Sequence, residues 1–282
     1  MPVIPWTDDD VIRAFPEFAI EVPALGAGQQ KVAYKASDVA LKVLLQDPDS
    51  VDDEAATTIE RFQREMSAMQ ATTCPHVATL VSGPELRTIG ETERYWYTEP
   101  LLAGGTLKQR LRLGPLSHTE AADLARSLLL AVDAMWAQGI VHRDIKPDNI
   151  GYLSDGTVVL ADLGIALLTE MYPVTNSQLV GPGTQYYAAP EQYQMRRNTT
   201  IDFRTDLFQV GIVVAESVMG YHPFRQPGTG HIEQLTSFDA TVLDSFNLPA
   251  GLRELIPRLL APHQSGRYRS VQRALKALGS GS

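Results

Sequence analysis

The chain has 282 residues, 44% of them apolar and 20% charged, with a formal net charge of -9. That length allows one large domain or two lobes with a core each, and the acidic balance argues against a nucleic-acid partner, which selects for basic faces. Cys74 is the only cysteine, which excludes an intramolecular disulfide and a cysteine-based zinc site and makes a reducing compartment, the cytoplasm, the expected location.

Residues 1–17 read as an N-terminal extension; they lack the basic-then-apolar order of a secretory signal. From Phe18 to Leu45 the text is strand-like. A Gly-containing turn at Gly26-Ala27-Gly28 leads into the short runs Lys31–Ala36 and Val39–Leu44. The acidic stretch Asp47–Glu54 reads as a loop. A helix is expected over Thr57–Gln70, with Ile59, Phe62, Met66 and Met69 at helical spacing, followed by strands at Val77–Val81 and Arg94–Thr98. After Gly104-Gly105 the character turns helical. Ser117-His118-Thr119-Glu120 forms a capping box. Ala121, Leu124, Ala125, Leu128, Val132 and Met135 line one face of the helix that follows, and Gly139 stops it. Further helices are expected at Asp206–Met219, Leu252–Leu260 and Val271–Leu278. The apolar run Leu207–Gly220 is broken by Gln209 and Glu216 and falls short of the roughly 20 residues that cross a bilayer. Residues 279–282 read as a flexible tail or tag remnant.

The segment Val141-His142-Arg143-Asp144-Ile145-Lys146-Pro147-Asp148-Asn149-Ile150 carries the densest chemistry. A carboxylate at Asp144 can accept the proton of an attacking hydroxyl and orient it. The amide oxygen of Asn149, five residues later, can ligate Mg2+, and Lys146 between them can neutralise charge on a transferring phosphoryl group. Asp162, at the end of the strand Val158–Leu160 and two residues before Gly164, suits a second metal ligand.

These motifs resemble the eukaryotic-type (Hanks-type) serine/threonine protein kinases, and Pro190-Glu191-Gln192 with short loops is similar to the bacterial branch. The resemblance spans Phe18 to Leu278. It implies an α+β, bilobal protein-kinase-like fold. A small β-rich N-lobe with one main helix (18–98), a hinge at about 98–103 and a larger α-helical C-lobe (104–278) make up the kinase domain 18–278. The implied activity is transfer of the γ-phosphoryl of ATP to protein serine or threonine hydroxyls, with Mg2+ or Mn2+. Protein substrates are the implied partners, with a transient homodimer for trans-autophosphorylation.

Residue by residue, the resemblance makes Lys42 in Val39-Ala40-Leu41-Lys42 the phosphate-binding lysine. Glu65 is its ion-pair partner, ahead of Glu60 and Glu54. Gly26, Ala27 and Gly28 cover the phosphates, although Lys31 stands where the family's third glycine does. Thr98 or Glu99 guards the back of the nucleotide pocket. Arg143 implies a cationic pocket for a phosphorylated activation loop, with Thr175, Ser177 and then Thr169 as candidate phosphosites. Thr184 and Glu191 belong to the end of that segment. Glu191 is implied to pair with Arg267, and Asp206 to brace the catalytic loop. Lys146 and Gly183-Thr184 point to serine and threonine rather than tyrosine. Two other readings of the same fold are a nucleotide-binding pseudokinase scaffold, which the altered glycine turn favours, and a small-molecule phosphotransferase.

Overall fold

The computed structural model describes residues 3–28, 30–48, 53–163, 167–168, 186–193, 201–224, 235 and 238–279, with backbone only at 53–57, 61, 167 and 168. It divides into two units, 1–71 with 78–103 and 72–77 with 104–282. The first unit therefore runs five residues past the expected lobe end at Thr98, and six residues after its helix belong to the second.

Unit 1 is built on a five-stranded antiparallel sheet of order β1-β2-β3-β5-β4, comprising β1 (Ile20–Ala27), β2 (Lys31–Ala36), β3 (Val39–Leu44), β4 (Ser82–Ile89) and β5 (Thr92–Pro100). Period-2 alternation gives the sheet two chemically different faces. Val32, Tyr34, Leu41, Val43 and Trp96 share one face and are buried together. They are covered by α1 (Asp8–Ala14) and its flanks, through Trp6, Val11 and Phe15. Trp6, Val11 and Phe15 are thus part of the unit's core, and the indole N–H of Trp6 donates to the Tyr34 hydroxyl at 3.0 Å. Arg87 on β4 stacks its guanidinium 4.7 Å over the rings of both Phe15 and Trp96.

The helix α2 runs from Asp53 to Ala71, starting within the stretch expected to be a loop. Phe62, Met66 and Met69 are buried, and Phe62 packs on Tyr95 and Tyr97 of β5 at 5.1 and 6.0 Å between ring centroids. The strand expected at Val77–Val81 does not form. Val77 makes only an isolated bridge to Leu160, and the fourth strand begins at Ser82. A short apolar run marks burial but cannot say whether ladder partners are available.

Unit 2 is helical. Its centre is α4 (His118–Trp136) against α5 (Phe203–Met219), flanked by the helix Ala250–Leu259 and the C-terminal helix Val271–Gly279. The Ser117–Glu120 capping box is formed. Most of α5 is buried on all sides, and Gly211 allows this: a Cβ there would stand 2.8 Å from Leu259 Cβ. Gly220 ends the helix in the left-handed region, at φ 76. Beyond α3 (Leu107–Leu111) and α4, two short ladders frame the chemistry: β6 (Ile140–Val141) with β9 (Leu167–Leu168), and β7 (Ile150–Tyr152) with β8 (Val158–Leu160).

Candidate active site

The loop from His142 to Asn149 leaves β6 and returns to β7 through a 3-10 turn, Pro147–Asn149. Arg143 within it adopts φ 72, a left-handed backbone that a bulky side chain takes only when its surroundings hold it there. Five bonds to side chains from outside the loop do so. Asp206, on the first turn of α5, accepts from the His142 N–H at 2.9 Å and the Arg143 N–H at 2.8 Å. Gln209, one turn on, accepts from the Ile145 N–H at 2.9 Å and donates to the Arg143 carbonyl at 2.8 Å. Gln192 donates to the same carbonyl at 3.0 Å. Burial pushes the Asp206 carboxyl up to about 7, with the two backbone N–H donors opposing.

His142 is fully enclosed. Its Nδ1 accepts from the Asp144 N–H at 3.2 Å, which leaves the proton on Nε2, 3.2 Å from the Ala161 carbonyl. Burial holds the imidazole down to about 4, so it is neutral at pH 7.

Asp144 stands on this braced backbone. Its Oδ2 accepts from Lys146 Nζ at 2.7 Å and from Asn149 Nδ2 at 3.0 Å. Its Oδ1 is buried and, among the described residues, has no hydrogen-bond partner. Burial raises the carboxyl to about 6, against the pull of Lys146, and the charge of Asp162 adds to the rise. A buried carboxylate with one oxygen held and the other lacking a donor is suited to take a hydroxyl hydrogen.

Asn149 turns its amide N–H groups inward, to the carbonyl of Asp144 at 2.9 Å and to its Oδ2. Its amide oxygen takes no part in these bonds. The Asn149 carbonyl accepts from the Ala161 N–H at 2.8 Å, which sets Asp162 one residue beyond that bond. Asp162 is exposed and left-handed, at φ 63. A neutral amide oxygen and an exposed carboxylate are oxygen donors of the kind Mg2+ takes, so the pair fits that ion.

Glu191 and Arg267 form a buried bidentate pair, and Thr205 donates its hydroxyl to Glu191 at 2.7 Å. Gly164, Thr169, Thr175, Ser177, Gly183 and Thr184 lie outside the described residues. Arg143 is 2% exposed.

Unit 1 departs from the expected pairing. Both oxygens of Glu65 accept from Lys31 Nζ, at 2.6 and 2.5 Å, and Oε1 also accepts from the Tyr97 hydroxyl at 3.0 Å. Lys42 instead pairs with Glu99 at 2.6 Å. The sheet register explains this. Lys42 lies opposite Tyr97 and Ala40 opposite Glu99, so Glu99 shares the face of Lys42, whereas Thr98, opposite Leu41, is on the other. Glu60 faces solvent beside Arg64, at 3.8 Å. Gly26 and Gly28 leave open space where a Cβ would stand, except for the Lys31 carbonyl 3.7 Å from that of Gly28.

Gln209 and Gln192 are the functional positions that sequence reasoning passed over. The available signal was an amide in an otherwise apolar, all-round buried helix, one turn after an aspartate, because a buried amide needs partners.

The family described as Protein kinase domain matches residues 21–277. A protein of Lactococcus lactis named as a probable serine/threonine-protein kinase, PknB, is 29% identical over 263 residues, covering 89% of this chain and 40% of its own length. The serine/threonine-protein kinase PknA of Mycobacterium tuberculosis is 33% identical over 213 residues, 75% of this chain and 48% of its own. A second PknB, from Bifidobacterium longum, is 35% identical over 172 residues, 59% of this chain and 24% of its own. The chain thus spans about half or less of the length of these curated relatives. With the kinase profile covering nearly all of it and relatives of this kind, the chain belongs to the protein kinase domain family, among the bacterial Hanks-type serine/threonine kinases.

Proposed function

We propose that this kinase domain transfers the γ-phosphoryl of ATP to serine or threonine hydroxyls of protein substrates in the cytoplasm, and phosphorylates its own segment between Asp162 and Glu191 through transient meetings of two copies. The observation that carries the reading is Asp144: a buried carboxylate with Oδ2 held by Lys146 and Asn149 and, among the described residues, Oδ1 without a hydrogen-bond partner. In this role Asp144 orients the acceptor hydroxyl and takes its proton as the oxygen attacks the γ-phosphorus. Lys146 offsets negative charge on the transferring group. Asn149 and Asp162 would hold Mg2+, which would supply charge neutralisation at the phosphates. A lysine of unit 1 anchors the remaining phosphates. Among the described residues, no helix is long and apolar enough to cross a membrane.

The test is phosphoryl transfer from labelled Mg-ATP to the chain itself and to a generic protein, with phosphoamino-acid analysis of the product. Labelled phosphoserine or phosphothreonine that vanishes in Asp144→Asn supports the reading. Equal labelling by both proteins sinks it, and label found only on a small molecule transfers the chain to another class of phosphotransferase.

A further inference from the structure

Three lysines, Lys31, Lys35 and Lys42, stand on the same face of the unit 1 sheet; Lys35 pairs with the exposed Glu21, whereas Lys31 and Lys42 each have a buried carboxylate. The ladders set Ala33 opposite Lys42 and Lys42 opposite Tyr97, which places Lys31 diagonally beside Lys42 with Tyr97 on the same face. The Tyr97 ring lies near both ammonium groups, 5.6 Å from Lys31 Nζ and 5.9 Å from Lys42 Nζ. We propose that Lys31, rather than Lys42, is the ammonium that anchors the phosphates of the nucleotide. The proposal rests on the kinase reading and names which residue of unit 1 fills one of its roles.

Three observations separate the two lysines. The first is the carboxylate on the helix. Glu65, the buried acid of α2, binds Lys31 through both oxygens. A cation fixed by a 19-residue helix has its direction set by the fold rather than by its own four-carbon stem. The second is what each carboxylate keeps if its lysine turns toward a phosphate. Glu65 retains the Tyr97 hydroxyl at 3.0 Å, so Lys31 can redirect a hydrogen without leaving a bare buried charge. Glu99 has no second donor among the described residues, and its Oε2 is buried with no hydrogen-bond partner. Lys42 is therefore committed to neutralising Glu99, because an uncompensated buried carboxylate costs several kcal/mol.

The third observation is position along the chain. Lys31 opens β2 directly behind the glycine turn, and its carbonyl accepts from the Gly28 N–H at 2.8 Å. Gly26 has no atom within 4 Å of where a Cβ would stand, and Gly28 has only the Lys31 carbonyl. The backbone of the turn is thus open to a phosphate at the point where Lys31 is tied to it. Lys42 lies within β3, paired across the ladder to Ala33 on one side and Tyr97 on the other. A lysine at the place of the third glycine is, on this account, the phosphate anchor moved one strand back, and Glu65 has followed it.

The experiment compares Lys31→Met with Lys42→Met, using Mg-ATP as the probe. Affinity is measured by calorimetry, turnover by ADP release, and folding by thermal melts. Lys31→Met should lower Mg-ATP affinity and kcat/KM on the order of 100-fold, and Lys42→Met should lower both by less. The double variants Lys31→Met with Glu65→Gln and Lys42→Met with Glu99→Gln remove each pair without leaving a bare carboxylate, and they should keep the same ranking. A loss at Lys42 equal to or greater than that at Lys31 overturns the proposal. If the wild type binds Mg-ATP but releases no ADP and labels no protein, the kinase reading fails while the affinity ranking still decides between the lysines. A wild type with no affinity for Mg-ATP overturns both.

Discussion

Glu191 and Arg267 face each other fork to fork across 76 residues of chain, with Nη1–Oε1 at 2.6 Å and Nη2–Oε2 at 3.0 Å. The guanidinium also donates to the carbonyls of Arg204, Ala261 and Pro262 and stacks 4.6 Å over the Phe208 ring. It thereby joins the end of the activation segment, the start of α5 and the segment after the helix Ala250–Leu259. Arg267→Met should destabilise unit 2 by about 3–5 kcal/mol, because it leaves the Glu191 carboxylate buried without its countercharge. Chemical denaturation followed by near-UV circular dichroism measures this, and Glu191→Gln combined with Arg267→Met should recover part of the loss.

The Gln209 amide holds the catalytic loop from both sides, accepting from the Ile145 N–H and donating to the Arg143 carbonyl. Gln209→Glu keeps the acceptor and replaces the donor with an oxygen facing a carbonyl. The expected result is a fall in kcat of roughly 10-fold or more with the KM for ATP little changed, since misplacement of a reacting group acts on the chemical step. A rise in KM at constant kcat would show that the loop braces nucleotide binding instead.

Much of this site was legible because its chemistry is local. Asp144, Lys146 and Asn149 lie within six residues, and the hydrogen bonds to the Asp144 carboxylate are made inside that span. The Glu191–Arg267 pair and the bracing role of Asp206 were also readable, through resemblance, since each is a charged residue at a fixed place among motifs. Pairing across the sheet was not. Whether Glu65 meets Lys31 or Lys42 depends on strand register and on the rotation of α2, and both lysines offer the same charge on the same face. Glu99 gave no hint of its partner for the same reason. The N-terminal segment escaped for another: Trp6, Val11 and Phe15 are spaced so that no seven-residue helix announces itself, and only the uncovered face of the sheet explains why they are apolar.

That segment carries the next prediction. Phe15 is fully buried, edge-on to Trp96 at 5.2 Å between centroids, under the stacked guanidinium of Arg87. Phe15→Ala should cost about 3–5 kcal/mol of unit 1 stability, as for other large-to-small changes in a packed core. Removal of residues 1–17 should cost at least as much, because it uncovers Tyr34, Leu41 and Trp96 together. Thermal melts decide the matter. An unchanged midpoint in the truncated protein would show that the segment is an appendage after all.

The final prediction concerns pH. Burial raises the Asp144 carboxyl to about 6, above its ordinary 3.8, so that near neutrality it is mostly ionised and can accept a proton. Below that value the added proton occupies the carboxyl and acceptance stops. The sign is therefore fixed: kcat/KM is level above pH 6 and falls about tenfold for each pH unit below it, a plot whose acid limb reports the base of the free enzyme. His142 does not enter this limb, since burial holds it down to about 4 and it stays neutral across the range. Lys146 contributes through charge. Lys146→Met removes the cation 2.7 Å from Oδ2, and it should push the acid limb to higher pH while lowering the plateau. Initial rates at subsaturating ATP, measured between about pH 5 and about pH 8 on both proteins, test the assignment. A limb that stays in place when Lys146 is replaced would mean that a group other than Asp144 titrates there.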